Sequence, residues 1–268
     1  MGPATSNRSC RQNLLQLAWF VLSIVLLSLA MSVCVKPWLE LSLWKIFRRC
    51  VSISSLIVLA VFLRRVHHQS VGALGLTSWS SGPRELLIGL GIGSLGGFLL
   101  TAGFFVAGIW HIDLFPDIPR IWCVVLVSLP AMILVAVLEE LIFRGYVLQR
   151  LLSCRWGLAV FGSSAAYAFV HLRTTLVWPG TVLELIGLCL LGCLLALTAL
   201  RTNQLYASIG LHASLAYWAR INKFVVGVTD GRLPWLVGSN KLIDGLAAWL
   251  LLVFMWGAVV VLVRKRST

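Results

Sequence analysis

Residues 121–138 carry no Asp, Glu, Lys or Arg, and the chain then runs directly into Glu139-Glu140 before the apolar pattern resumes at Leu141, Ile142 and Phe143. A helix of about 20 such residues crosses the hydrocarbon of a bilayer. Two adjacent carboxylates are thereby held at or inside the edge of a membrane helix. Ionisable groups at that depth are expensive and, where present, usually serve function.

Composition extends this to the whole chain. With 59% hydrophobic and 12% charged residues and a mean hydropathy of +0.94, the sequence reads as an all-α polytopic membrane protein with little left over for a soluble domain. The net charge of +13 comes from 22 Lys and Arg against 9 Asp and Glu, with no basic cluster interleaved with aromatics. Loops facing anionic lipid headgroups account for it, and no nucleic-acid partner is implied. Several of the twelve Trp, namely Trp38, Trp44, Trp79, Trp110, Trp178 and Trp235, stand near segment ends, where interfacial anchors are expected.

In chain order, residues 1–13 are polar and basic and read as disordered. About eight transmembrane helices follow, at residues 14–35, 50–63, 86–110, 121–143, 156–177, 182–200, 205–218 and 246–263. The first reads as a retained span and not as a cleaved signal peptide, being longer than a signal core. Residues 36–49 alternate Trp38, Leu41 and Trp44 with Lys45, Arg48 and Arg49, the pattern of a short interfacial helix. His67-His68 falls in the polar linker 67–83 and reads as a solvated pair. In the third span Gly89, Gly93 and Gly97 form a ridge that admits a close helix neighbour. Pro130 is placed to bend the fourth. Loops containing Asp113, Pro116 and Asp117, and later Asp230, Pro234 and Lys241, precede the fourth and eighth spans, and Arg264-Lys265-Arg266 closes the last. The seven cysteines are odd in number, lie mostly in apolar runs, and form no disulfide framework or zinc pattern. An even number of spans puts both termini on one side. Lys and Arg are slightly more numerous there, which assigns cytoplasmic termini to a multi-pass protein of the cell membrane.

On a helix, Glu140 and Arg144 are four residues apart and share a face, so they can pair, while Glu139 points about 100° away without that partner. The paired glutamate is a positioning element and the unpaired one a candidate general base. The plain alternative is that the three charges merely end a hydrophobic segment, but the apolar residues that follow make them interrupt a buried surface. Two further spans each contribute a histidine, His171 near the middle of the fifth and His212 in the first half of the seventh. Cleaving a peptide bond in a membrane needs a base to activate water and donors to stabilise the oxyanion, and this set of groups supplies both.

These residues resemble the CAAX protease and bacteriocin-processing (CPBP, or Abi) family of intramembrane endopeptidases. Its Glu-Glu-x-x-x-Arg motif is matched by Glu139, Glu140 and Arg144. Its Phe-x-x-x-His motif is matched at His171 with Tyr167 as the aromatic. Its His-x-x-x-Asn motif is matched at His212, with Ala216 where the family has Asn. The resemblance covers residues 114–223. It implies a CPBP-like helical core at 114–225, between an N-terminal membrane region at 1–113 and a C-terminal loop and span at 226–268. It also implies metal-independent proteolysis without a cofactor, on a peptide or membrane-associated protein bearing a lipidated or hydrophobic tail. By carry-over, Glu139 activates water, Glu140 and Arg144 position the site, and His171 and His212 stabilise the oxyanion or assist proton transfer.

Rival readings remain open at this stage. Two His and a Glu can bind zinc, although no His-Glu-x-x-His occurs. Ser163 or Ser164 can pair with a histidine, although Gly162-Ser-Ser-Ala is a generic packing sequence. Ala216 favours a non-catalytic immunity or scaffolding protein of the same fold. A transporter calls for internal repeats, which the halves do not show.

Overall fold

A computed structural model describes residues 3–76, 82–113, 118–172, 178–228, 234–238 and 242–263. Trp79, Pro116, Asp117, Asp230, Lys241 and the Arg264-Lys265-Arg266 cluster lie outside the described residues. Eight long helices stand close to the expected positions: α1 Pro3–Val35, α2 Leu43–Val61, α3 Gly82–Val106, α4 Ile118–Glu140, α5 Trp156–Val170, α6 Gly180–Thr202, α7 Tyr206–Val225 and α8 Leu246–Leu262. The protein is an all-α integral membrane protein. Among the described residues, five segments are long and apolar enough to cross a bilayer: Ser9–Trp38, Leu43–Val66, Gly82–Val106, Ile121–Leu151 and Gly180–Thr202.

The other three helices do not meet that standard on their own. α5 and α8 are apolar but have 15 and 17 residues, which at 1.5 Å per residue is well short of about 30 Å. α7 has the length, with 20 residues, but it carries Ser208, His212, Ser214, Arg220 and Asn222. Its environment explains how such a helix is tolerated, because it is almost wholly enclosed from Tyr206 to Leu215 by α3, α4 and α6. The α3–α7 contact is backbone on backbone. A Cβ at Gly89 would overlap the Ala207 carbonyl, and one at Gly210 would overlap that of Leu86. The glycine ridge thus acts as a close-packing surface, as the four-residue spacing predicts.

Two apolar clusters enclose the end of α4. On one side Ala136, Leu141 and Tyr146 pack with Phe20, Leu63, Leu74 and Ile209. On the other, Phe143 packs with Tyr167, Leu188, Leu195 and Leu211. Beyond Glu140 the helix widens into a π-helical segment, Leu141–Leu148, before a last α-turn at Gln149–Leu151. π segments within α-helices recur at functional sites. Pro130 lies inside α4 without ending it.

Several expectations are corrected. The N-terminal residues are helical from Pro3, and Cys10 is disulfide-bonded to Cys154 across 144 residues. Asn13 Nδ2 donates to Ser153 Oγ at 2.8 Å beside it. Lys36–Trp38 is a single 3-10 turn, and Lys45, Arg48 and Arg49 belong to the first turns of α2, capped by Ser42, so no separate interfacial helix stands there. The fifth helix ends at Val170, which puts His171 at its C-terminal cap and not at mid-span. Trp110 is buried in a short strand, β1 Trp110–Ile112, against Phe104 at 4.8 Å between ring centroids. β1 pairs antiparallel with β2 Val226–Val228, with His111 opposite Gly227. His67 is not simply solvated, since its Nε2 lies 3.1 Å from the Tyr146 hydroxyl. Burial, with the charge of Arg150 adding to it, pushes the His67 imidazole below its usual range.

Candidate active site

Glu139 and Glu140 close α4 where it meets the π segment. Glu140 is completely buried, and its Oε1 accepts from Arg144 Nη1 at 2.8 Å. The pair is the one read from the four-residue spacing. Arg144 is held from two further directions. Its Nη2 donates to the Gly192 carbonyl of α6 at 3.2 Å, and its guanidinium carbon lies 4.7 Å from the centroid of the Tyr167 ring. A charge removed from water in this way is tolerable because it is paired, hydrogen-bonded and stacked on an aromatic face.

His212 reaches the same carboxylate from α7, with Nδ1 3.0 Å from Glu140 Oε1. Tertiary packing sets this depth. Asn203 ends α6 in the left-handed region at φ 53°, and the Leu205 N–H donates to the Gly75 carbonyl at 3.0 Å. The turn 203–205 therefore seats beside residues 72–76. Leu74 also rests on Gly145, where an added Cβ would come within 2.9 Å of the Leu74 Cβ. α7 thus starts level with the π segment, and two turns later His212 arrives at the end of α4.

His171 approaches from the end of α5. Its Nδ1 lies 2.8 Å from the Tyr167 carbonyl, one turn earlier on the same helix. Carbonyl and carboxylate oxygens only accept, so Nδ1 is the protonated nitrogen in both histidines and Nε2 is the one left to face the site. Both Nε2 atoms face Glu139. Its Oε2 is 3.6 Å from His212 Nε2 and 3.8 Å from His171 Nε2. This Oε2 is buried yet accepts no hydrogen bond among the described residues.

Exposure orders the site from front to back. The side chains of Glu139 and His171 are 25% and 33% exposed, whereas His212 is 5% and Glu140 and Arg144 are 0%. Glu139 and His171 form the open face, and the Glu140–Arg144–His212 set forms a dry back wall. All five residues singled out in the sequence come together here. Two participants escaped the sequence reading. Tyr167 reads there only as a variant of an aromatic position, yet its hydroxyl lies 3.3 Å from His212 Nε2. The Gly192 contribution is a backbone carbonyl and leaves no signal in side-chain patterns. Asn222 does not enter the site, since its Nδ2 donates to Thr101 Oγ1 at 3.1 Å.

The serine rival finds no support in this geometry. Ser163 and Ser164 are fully buried and both donate to the Val160 carbonyl, and Ser164 lies under Gly192 at the α5–α6 contact. Among the described residues no group of three or more His, Cys, Asp or Glu has an arrangement suited to a metal ion.

Residues 120–218 match the family model described as Type II CAAX prenyl endopeptidase Rce1-like, and all five site residues fall within that span. No curated protein and no solved structure matches the chain. Over this segment the chain is similar to the CPBP family that its motifs resemble.

Proposed function

We propose that the protein is a glutamate-dependent, metal-independent intramembrane endopeptidase that cleaves near the terminus of a membrane-anchored protein or peptide, with residues 114–225 as its catalytic core. The carrying observation is the unequal treatment of two adjacent carboxylates. Glu140 is committed through Oε1 to Arg144 and His212 at 2.8 and 3.0 Å, while Glu139 Oε2 accepts no hydrogen bond among the described residues and faces two imidazole nitrogens at the open side. In this reading Glu139 takes a proton from water as the water oxygen attacks the scissile carbonyl carbon. The tetrahedral oxyanion is stabilised by His171 and His212 once either holds a proton at Nε2. Collapse breaks the C–N bond, and Glu139 returns its proton to the leaving amine. The buried pair behind it fixes the end of α4, so that the base does not move as charge develops.

The test is cleavage by the purified protein in liposomes of three membrane-anchored substrates: a prenylated carboxyl-terminal tail, a leader peptide and a carboxyl-terminal sorting tail. Products are read by mass spectrometry, with Glu139→Ala alongside. Cleavage of at least one substrate, lost in the variant, is the expected result. An inactive parent, or equal turnover by the variant, overturns the reading.

A further inference from the structure

α3 packs on α7 through its glycine ridge, and the stripe of α3 turned away from that ridge meets α8. The two helices run antiparallel, since Ala247 at the start of α8 joins the apolar cluster around Phe104 at the end of α3. They touch at Gly96, where an added Cβ would come within 2.8 Å of Met255 Sδ. Beside this contact lies a groove of about 470 Å³. Buried Ile92 and Met255 form its floor, and Leu95, Leu99, Phe254 and Leu262 form an exposed rim. Gly91 also lines it, and a Cβ there would meet nothing within 4 Å, so the missing side chain leaves that part of the groove open.

Of the lining residues only Arg84 has a polar side chain, and it stands at one end. It is the third residue of the 25-residue α3, which places it at headgroup level, and it is exposed with no hydrogen bond or ion pair among the described residues. The neighbouring carboxylate, Glu85, is buried and does not line the groove. A cation in the first turn of a helix also faces the positive end of the helix dipole, so an anion beside it is favoured by both. At the same end Arg201 donates to the Val260 and Val263 carbonyls, closing the last turn of α8 and adding a second positive charge. From Arg84 to Leu99 the groove follows about 22 Å of helix at 1.5 Å per residue. One leaflet of hydrocarbon is roughly 15 Å deep, half of the bilayer core. The groove thus has the length of one acyl chain and a cationic end where the chain's headgroup would sit.

We propose that the α3–α8 groove is a binding site for an anionic glycerophospholipid, with the lipid phosphate at Arg84 and one acyl chain lying along the groove toward Leu99. Arginine pairs with phosphate through parallel N–H donors, which suits this end of the groove. The occupant is a bilayer lipid and not the tail of a substrate, because α7 stands between α3 and α4. A tail cleaved at Glu139 would have to pass α7 to lie here. The floor residues Ile92 and Met255 share an apolar cluster with Leu211 and Leu215 of α7, so a chain seated on them braces the helix that carries His212. A ligand bound only by the folded form stabilises it by mass action. The site is independent of whether the protein cleaves peptides.

The probe is phosphatidylglycerol with a photoreactive group in its acyl chain, added to the purified protein in detergent, with phosphatidylcholine of the same chains as the neutral counterpart. Labelled peptides are mapped by mass spectrometry. Labelling by phosphatidylglycerol is expected to concentrate on residues 84–99 and 251–262 and to saturate at one lipid per chain. With phosphatidylcholine, and in Arg84→Gln, binding weakens by about 10-fold or more, the scale of one charge-assisted contact. Gly91→Phe fills the open floor and loses the labelling, while its unfolding temperature without lipid stays near the parent's. Unlabelled phosphatidylglycerol raises the unfolding temperature of the parent and not that of Gly91→Phe. If Gly91→Phe does not fold, Arg84→Gln, at an exposed position, decides alone. Equal labelling by the two lipids, undiminished labelling in Arg84→Gln, or labels spread evenly over the exposed helix faces overturns the proposal. Displacement of the probe by a prenylated tail peptide would assign the groove to substrate and overturn it as well. None of these readouts uses peptide cleavage, so failure of the proteolytic reading would leave the lipid site standing.

Discussion

Arg144 Nη1 donates to Glu140 Oε1 at 2.8 Å with both side chains wholly buried, one π-widened turn apart at the end of α4. Removing either partner leaves the other as an uncompensated charge among apolar residues. Arg144→Ala is therefore expected to destabilise the protein by roughly 3–5 kcal/mol as well as inactivate it. Glu140→Gln with Arg144→Met removes both charges and recovers much of the stability, though not the activity. Thermal unfolding of the single and double variants in detergent is the check. A single variant as stable as the parent would show that the pair carries no such burden.

Glu139 behaves differently, because its side chain is 25% exposed and its Oε2 accepts no hydrogen bond among the described residues, whereas Glu140 is wholly buried and held through Oε1 by Arg144 and His212. Glu139→Ala should abolish cleavage while leaving insertion and the unfolding temperature near those of the parent. Full turnover by the well-expressed variant would remove Glu139 from the role of base.

The two histidines separate on stability. His171→Ala and His212→Ala are each expected to lower turnover by a factor on the order of 10² or more. His212→Ala also removes a donor to the buried Glu140 Oε1, so it should lower the unfolding temperature, whereas His171 sits at the open face and its loss should not. Near-normal turnover in both variants would reduce the histidines to packing residues.

Activity should survive exhaustive chelation, since catalysis in this reading uses Glu139 and the histidines without a metal. The check is turnover before and after chelator treatment, with elemental analysis of the purified protein. Loss of activity that zinc restores would move the zinc reading ahead.

The disulfide bears on orientation. Cys10 and Cys154 lie at the same end of the bundle as the N-terminus. Disulfides persist in oxidising compartments and are rare in the cytosol. The bond is expected to appear in non-reducing peptide maps, and after reduction an impermeant thiol reagent should reach Cys10 from the side opposite the cytosol. That orientation is the reverse of the one drawn from the slight Lys and Arg excess. Labelling from the cytosolic side, with free thiols in the map, would restore cytoplasmic termini.

Local sequence was enough for whatever depends on neighbours along one helix. The long uncharged run before Glu139-Glu140 put carboxylates in a membrane helix, the four-residue offset to Arg144 made the ion pair, and the glycine spacing in α3 marked a close contact. These follow from helical periodicity, which is written into spacing. The motifs also identified the five residues that meet. What the sequence could not hold was the register between helices. His171 became a cap residue because α5 stops at Val170, and His212 reached Glu140 because the turn before α7 hydrogen-bonds to Gly75. The Cys10–Cys154 bond joins residues 144 apart, a separation that no local pattern reports. Tyr167 acquired its contacts, and Glu139 its lack of a donor, from how α4, α5 and α7 pack, since hydrogen bonds between helices depend on distance and direction in space. Periodicity fixes which face a side chain occupies, and only packing decides what that face meets.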